Sequence, residues 1–179
     1  MKGKYLISSP NLLNDEVFYK SIIYIVDETT QGLTGFILNR KSGFFLSDQN
    51  IKSQKNNIEL FYGGPVSHNL FYILKSDVEM EGIIRIRDNI YWGNNINLII
   101  DTLSKGLVNI KNINFYKGYS GWDKGQLDKE IENNSWIVKD DLDTDHFTLV
   151  NNNSWNNIIR EIGGKYKIWS NSPDDINLN

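Results

Sequence analysis

Hydrophobic positions along this 179-residue chain fall mostly into short runs with the spacing of β-strands. The β-branched and aromatic run at residues 21–26 is typical of a buried strand, whereas residues 83–87 alternate between isoleucine and arginine, which places Arg85 and Arg87 on one strand face. On these criteria the predicted strands are residues 5–9, 21–26, 35–39, 58–62, 70–74, 83–87, 90–92, 113–119, 136–138 and 147–150.

Three other segments carry apolar residues three and four positions apart, which is the spacing of an amphipathic helix. They are residues 95–105, 123–134 and 154–162. Asp123 and Gln126 have the spacing of a capping box at the start of the second segment. Because strand-rich hairpins are mixed with about three helices, the pattern predicts an α+β fold.

The segments between these elements predict turns, a loop and a tail. Gly63-Gly64-Pro65 predicts one turn, and residues 118–122 (Gly-Tyr-Ser-Gly-Trp) predict another between a strand and a helix. Residues 41–57 are polar and irregular, which predicts a loop. Residues 170–179 have too little apolar content to dock and are expected to form a disordered tail. The length therefore predicts a single domain over residues 1–169.

Composition narrows the class of protein and of partner. The net charge is −3, and neither a basic stripe nor a basic recognition helix is evident, so direct binding to nucleic acid is not expected. The absence of cysteine excludes disulfide scaffolds, thiol catalysis and cysteine-ligated metal centres. No apolar run is long enough for a membrane span or a signal peptide, so we expect no membrane association and a cytoplasmic location.

Candidate metal ligands are few and poorly spaced. His68 and His146 each lack a second histidine or cysteine at ligand spacing. The acidic run at residues 141–145 resembles the opening of a calcium loop, which requires Gly at its sixth position and Glu at its twelfth. Those positions hold His146 and Asn152. We therefore expect a solvated acidic turn, no metal site and no cofactor.

A serine nucleophile is also disfavoured. Ser120 lies between a predicted strand and a predicted helix, where the G-x-S-x-G elbow of hydrolases needs a glycine two positions after the serine. Gly121 comes one position too early, and Trp122 occupies the required position. The helix that follows displays Gln126 and Glu130 on one polar stripe. That stripe is either the exposed face of a capped amphipathic helix or part of a binding surface.

Three segments together resemble the AlgH/YqgE family of bacterial proteins. The first lies within residues 10–40 and ends in Gly-Leu-Thr-Gly-Phe-Ile-Leu-Asn-Arg, the second is residues 63–66, and the third spans residues 118–136. Their order and spacing match the family over about residues 5–140. The resemblance implies a curved, bifurcated, mostly antiparallel sheet in a cytosolic protein. Members are often labelled transcriptional regulators, a label that comes from alginate gene control in one lineage and not from a defined biochemical activity.

Departures from the family pattern weaken an enzymatic interpretation. The family usually has His where this chain has Glu28 and Lys75, Pro where it has Lys41, and Ala where it has Ser120. If either family histidine were a catalytic base, this chain would lack it. A serine that replaces a common alanine is also a poor candidate for a nucleophile. The remaining polar residues favour recognition over bond cleavage.

The sequence therefore favours a non-enzymatic regulatory or adaptor protein that binds a protein or a small effector. The alternative is an enzyme or a small-molecule-binding protein that uses a groove formed by Asn39, Gln126 and Glu130. The identity of the partner and the oligomeric state stay open. We expect the two glycine segments and the polar helix face to converge on one surface groove. The predicted groove residues are Asn39, Gly63, Gly64, Pro65, Tyr119, Trp122, Gln126 and Glu130.

Overall fold

The computed structural model describes residues 1–47, 57–142, 146–149 and 152–172, which form ten β-strands and three α-helices. The strands are β1 (Tyr5–Ser8), β2 (Ile22–Glu28), β3 (Gly32–Ile37), β4 (Lys41–Ser47), β5 (Asn57–Tyr62), β6 (Val66–Lys75), β7 (Ile84–Arg87), β8 (Ile90–Gly93), β9 (Ile113–Asp123) and β10 (Trp136–Lys139). The helices are α1 (Ile96–Ser104), α2 (Gln126–Glu132) and α3 (Asn152–Ile162). Short 3₁₀-helices cover Pro10–Leu12, Ile110–Asn112, His146–Thr148 and Gly164–Asn171.

The strands form one branched sheet around β9. Its main path runs β10-β1-β2-β3-β9-β6-β8-β7, and β5 joins β9 as a branch that also carries β4. Every pairing is antiparallel except that of β5 with β9, which is parallel. This arrangement confirms the predicted α+β class with a bifurcated, mostly antiparallel sheet.

At β2 both faces of the sheet are buried. Alternate side chains of a strand point to opposite faces. Ile22 and Tyr24 join the largest core cluster, which also contains Trp155 of α3, whereas Ile23 and Ile25 join a second cluster. A strand covered on both sides needs a continuous apolar sequence, which is what residues 22–26 provide.

The three helices each cover part of the sheet. Trp155 and Ile159 of α3 are fully buried in the first cluster, and Leu127 of α2 lies in the second. Ile99 of α1 packs in a third cluster against β6 and β9. Asn95 caps α1 by accepting a hydrogen bond from the Leu98 amide at 3.1 Å. No helix within the described ranges has the length and apolar character needed to span a membrane.

The segment predicted as a turn at residues 118–122 is instead part of a strand. β9 continues to Asp123, and α2 begins only after Gly125, which has a φ of 76°. Half of the predicted capping box is present, because the Gln126 side-chain oxygen accepts a hydrogen bond from the Asp123 amide at 3.0 Å. The strand continues because Leu33 and Gly35 of β3 pair with this part of β9, a tertiary contact that overrides the local turn signal.

Two further predicted segments differ from the structure. Part of the predicted loop at residues 41–57 is strand β4, which pairs with β5, and residues 48–56 lie outside the described residues. The predicted strand at residues 147–150 contains a 3₁₀-helix at its start, and residue 150 is not described. The apolar run at residues 44–46 is short and has polar neighbours, so the sequence pattern favours a loop. Pairing with β5 makes this segment a strand instead.

The end of the described chain is attached to the core. The last 3₁₀-helix runs to Asn171, two residues past the predicted domain end, and residues 173–179 lie outside the described residues. Lys20 is 1% exposed, and its ammonium donates a hydrogen bond to the Ser172 carbonyl at 2.7 Å. The same ammonium lies 5.5 Å from the ring centroid of Trp155 in α3. A buried lysine therefore joins the start of β2 to the last helices.

Candidate binding cleft at the sheet fork

The sheet forks because β3 and β5 use the same edge of β9. Gly35 of β3 pairs with Ser120, and Phe61 of β5 pairs with Tyr116. Gly118 lies between these two pairs and has a φ of 72°, a conformation that favours glycine. The two strands therefore separate at Gly118, and we call this point the fork.

Gly63 holds the three strands together at the fork. Its amide donates to the Lys117 carbonyl at 2.9 Å, and its carbonyl accepts from the Ile37 amide at 3.0 Å and from the Ser120 hydroxyl at 3.1 Å. A Cβ atom at Gly63 would overlap the Gly118 carbonyl oxygen. The close backbone approach explains why glycine is needed here.

The chain leaves the fork through a segment with unusual backbone angles. Gly64 has a φ of 148°, and Ser67 has a φ of 65°, which is rare for a residue with a side chain. The Ser67 hydroxyl oxygen accepts a hydrogen bond from the Asn69 amide at 3.1 Å. The pairing of β6 with β9 shifts register between Val66 and Leu70, so this segment bulges out of the sheet. Sparsely populated backbone angles of this kind cluster at ligand sites.

A cleft of about 180 Å³ opens beside this bulge, and we call it the fork cleft. It is lined by Ser42, Phe44, Tyr62, Gly64, Pro65, Ser67, His68 and Lys117. A shallower cleft of about 310 Å³, the outer cleft, adjoins it and shares Ser42 and Tyr62 with it. The outer cleft is also lined by Glu16, Val17, Arg40 and Lys41.

The cationic side chains around the two clefts differ in whether they already have a hydrogen-bond or ion-pair partner. Burial lowers the pKa of Arg40 from its ordinary value, and its guanidinium donates hydrogen bonds to the Val17 and Tyr19 carbonyls. Lys41 forms an ion pair with Glu59 at 2.6 Å. Lys117 has no carboxylate partner among the described residues, and its ammonium lies 3.6 Å from the centroid of the Phe44 ring.

The two serine hydroxyl groups of the fork cleft form hydrogen bonds with the backbone. The Ser42 hydroxyl donates to the Leu60 carbonyl at 2.7 Å and accepts from the Phe44 amide at 3.1 Å. No basic side chain within the described ranges hydrogen-bonds to Ser42 or Ser67. A serine nucleophile requires such a base within hydrogen-bond reach.

Three of the predicted groove residues form a separate cluster around one carboxylate. One oxygen of Glu130 accepts hydrogen bonds from the indole N–H groups of Trp122 at 2.9 Å and Trp136 at 2.7 Å. The other oxygen accepts from the Gln126 side-chain amide at 2.9 Å. Both indoles are 4% exposed, and Phe18 packs against both rings. This cluster joins α2 to the sheet through bonds that already occupy the carboxylate.

Asn39 faces the interior. It is 3% exposed, its side-chain oxygen accepts from the Ile22 amide at 2.9 Å, and its side-chain nitrogen donates to the Lys20 carbonyl at 2.8 Å. Asn39 therefore completes the backbone pairing of β2 just beyond the end of β3. Its amide is occupied by these two bonds, and the expected exposed role in a groove does not match this geometry.

The structure thus divides the predicted groove. Gly64 and Pro65 line the fork cleft and Gly63 lies at the fork beside it, whereas Tyr119 follows the fork in β9 and packs edge-to-face on Phe71 at 5.7 Å. The sequence did not single out five of the lining residues, which are Ser42, Phe44, Tyr62, Ser67 and Lys117. In the sequence, His68 stands out as one of two histidines that lack a second metal ligand at the required spacing. The alternation of polar and apolar residues through β9 places Lys117 on a strand face, but it does not show what lies opposite.

Comparison with known proteins gives matches over nearly the whole chain. The model of a family described as AlgH-like matches residues 5–167. A UPF0301 protein of Cytophaga hutchinsonii is 34% identical over 183 aligned residues, covering 99% of this chain and 98% of the relative. A UPF0301 protein of Bacteroides thetaiotaomicron is 31% identical, covering 96% of this chain and 88% of the relative.

Two solved structures share the fold. A protein from Corynebacterium diphtheriae superposes with a TM-score of 0.74 at 19% identity, covering 94% of this chain and 90% of that chain. The solution structure of the AlgH protein from Pseudomonas aeruginosa superposes with a TM-score of 0.72 at 21% identity, covering 97% and 95% of the two chains. At these identities the likeness concerns the fold.

Proposed function

This chain belongs to the AlgH-like family, and from that premise we propose that it is a non-enzymatic regulatory or adaptor protein that binds an effector in the fork cleft. Membership of this family does not assign a biochemical activity, so the proposal depends on the geometry of the cleft. We also propose that the protein acts in the cytoplasm and that it does not bind DNA directly.

The observation that carries the proposal is the convergence of restricted backbone positions on one cleft. Gly64 and Ser67 line it, and Gly118 at the fork has a φ that favours glycine. Beside the cleft, the backbone of Gly63 is held by hydrogen bonds to Lys117 and Ile37, so the fork edge of the cleft is already formed in the folded chain. Preformed concave sites with a few polar groups are typical of ligand-binding proteins.

The hydrogen bonds of the cleft support binding without catalysis. Its serine hydroxyls bond to backbone groups, and the carboxylate of Glu130 accepts bonds from two tryptophans in the separate cluster. Neither arrangement provides the pair of nucleophile and base that covalent catalysis requires. We therefore expect a bound molecule to leave the protein chemically unchanged.

Affinity capture from a lysate of the source cell tests the proposal. Pro65→Trp adds a bulky ring to an exposed position in the cleft lining. Ile168→Trp is the matched control, because Ile168 is 74% exposed and lies outside both lining sets. Unfolding midpoints of both variants establish that each is folded before capture.

We expect the wild-type protein and Ile168→Trp to retain the same small molecule or protein, unaltered, and Pro65→Trp to lose it. Equal retention by all three proteins would place the site elsewhere. Recovery of a converted product would contradict the non-enzymatic part of the proposal. Retention of duplex DNA at about 0.15 M salt would contradict the expectation that the protein does not bind DNA.

A further inference from the structure

We propose that the ligand of the fork cleft is a small organic anion that carries one flat apolar group, such as an aromatic carboxylate or an aromatic phosphate ester. This inference rests on the proposed function, because it names the chemical class that the same site accepts. The charge of the cleft, its size and the bonds that its groups already make favour this class of ligand.

The charge of the lining favours an anion. Lys117 is the one charged residue of the lining, and the eight lining residues, His68 among them, include no aspartate or glutamate. The chain as a whole has more acidic than basic residues, so a lining without a carboxylate is a local departure from the overall charge. Complementary charge attracts a ligand and selects against the opposite sign. A cation would meet the Lys117 ammonium and no carboxylate in this cleft.

The ammonium of Lys117 is available to an anion. It has no ion-pair partner within the described part of the chain, and its contact there is with the face of the Phe44 ring at 3.6 Å. A cation–π contact occupies one side of the ammonium and leaves its other N–H groups free to donate. The basic residues of the outer cleft differ, because Arg40 donates to two carbonyls and Lys41 is paired with Glu59.

The walls of the cleft favour a flat apolar group beside the charge. Phe44, Tyr62 and Pro65 contribute three rings to the lining. A cavity of about 150 Å³ is large enough for benzene, so the fork cleft, at about 180 Å³, is of a size for one ring. Lys117 contacts the Phe44 ring, so the positive charge of the cleft lies next to its apolar wall. A ligand whose anionic group is attached to an aromatic ring can therefore contact both.

Titration of the ¹⁵N-labelled full chain, followed by backbone amide chemical shifts, tests the proposal with four probes. Phenyl phosphate carries both features, inorganic phosphate carries the charge alone, benzyl alcohol carries the ring alone, and benzylamine carries the ring with a positive charge. We expect phenyl phosphate to shift the amides of Ser67, His68 and Lys117. We expect it to bind at least about tenfold more tightly than each of the other three probes.

Two lysine variants separate a specific contact from a general charge effect. Lys117→Gln removes the ammonium in the cleft, whereas Lys129→Gln removes the same charge from an exposed position on α2. We expect Lys117→Gln to weaken phenyl phosphate binding by about tenfold or more and Lys129→Gln to leave it unchanged. Phe44→Ala provides a second test at a residue that is 55% exposed, and it too should weaken binding.

The remaining outcomes overturn the inference. Equal binding of benzyl alcohol and phenyl phosphate would show an apolar site, and equal binding of inorganic phosphate would show general anion binding. No shift with any anion would also overturn it, as would equal losses in the two lysine variants. If Pro65→Trp abolishes capture from the lysate but phenyl phosphate does not bind, the proposed function stands and the ligand belongs to another class.

Discussion

Asn39 and Glu130 are polar side chains that complete the protein's own structure. Asn39 bonds to the backbone at Ile22 and Lys20, and Glu130 accepts two indole N–H groups. Neither role can be seen from the residue type, since the partners of Asn39 lie 17 and 19 positions away in the chain. The sequence identifies both residues as candidates for a binding site. A polar side chain exposed in a groove and one that bonds within the protein have the same sequence pattern, so the pattern does not distinguish them.

Replacement of Asn39 tests its internal role. Asn39→Ala removes the partners of two buried backbone groups, so we expect the free energy of unfolding to fall by about 2 kcal/mol. Asn94→Ala is the control, because Asn94 is exposed, and its effect should stay within about 0.5 kcal/mol. Chemical denaturation measures both. Equal stability of the two variants would contradict the assignment.

Glu130→Gln tests the carboxylate cluster. The new amide cannot accept from Gln126 through its nitrogen, and the bonds from Trp122 and Trp136 lose their charge assistance. We expect a loss of about 1–2 kcal/mol in unfolding free energy together with a change in tryptophan emission. Glu132→Gln, on the same helix at an exposed position, should change neither. Unaltered emission and stability in Glu130→Gln would show that the cluster contributes little.

At the scale of elements, strands and helices with strong local periodicity could be predicted, whereas elements held by distant pairing could not. Helix α1 and the hairpin of β7 and β8 lie where their apolar spacing places them. The last part of β9 reads as a turn because it contains Gly118 and Gly121. Its strand conformation depends on β3, which lies about 85 positions earlier in the chain. The fork therefore comes from tertiary pairing and not from a local signal.

Glycine is needed at Gly118 for two reasons, which are its left-handed φ and the lack of space for a Cβ atom. A comparison with Gly106 separates the two effects. Gly118 and Gly106 have similar φ angles of 72° and 69°. A Cβ at Gly118 would lie 2.5 Å from the Gly64 carbonyl oxygen, whereas one at Gly106 would meet nothing within 4 Å. We expect Gly106→Ala to lower the unfolding free energy by about 1–2 kcal/mol and Gly118→Ala to lower it by clearly more.

Thermal and chemical unfolding of both glycine variants measure the difference. The comparison with Gly106 removes the cost of the left-handed conformation, so the excess at Gly118 reports the close approach of Gly64 at the fork. Equal losses in the two variants would mean that the fork tolerates a side chain. In that case the fork would not be a fixed platform for the cleft.

At the scale of the whole molecule, the bifurcated sheet was implied by the resemblance to a family and not by the hydrophobic pattern. The pattern could predict the α+β class because alternating and helical spacings are both strong. It could not predict which strands meet, because pairing order is a property of the folded chain. The same sheet buries three tyrosines, with Tyr24 and Tyr116 in the first core cluster and Tyr72 in the third.

Burial of these tyrosines makes stability sensitive to alkaline pH. Burial raises the pKa of Tyr24 and of Tyr72 to about 12, and it raises that of Tyr116 as well. The unfolded phenols ionise near pH 10, so their contribution is complete below pH 10 and is lost as pH rises through 12. We expect each of the first two phenols to reduce stability by about 2 kcal/mol by pH 12.

Tyr72→Phe is the control for this pH dependence. The Tyr72 hydroxyl is buried without a hydrogen-bond partner in the described part of the chain, so its removal should cost little near pH 7. We expect the variant to lose less stability than the wild-type protein between pH 10 and pH 12, as followed by denaturant unfolding and tyrosinate absorbance. Parallel curves for the two proteins would contradict the assignment.

The central claim is that the fork cleft is where the protein binds its effector, and photocrosslinking from inside the cleft tests it most directly. Phe44 and Phe45 are similarly exposed, at 55% and 57%, but Phe44 lines the cleft and Phe45 lies outside the lining. A photoreactive phenylalanine analogue at position 44 should crosslink the effector in a native lysate, and the same analogue at position 45 should not. Equal crosslinking from both positions, or crosslinking from position 45 alone, would contradict the claim.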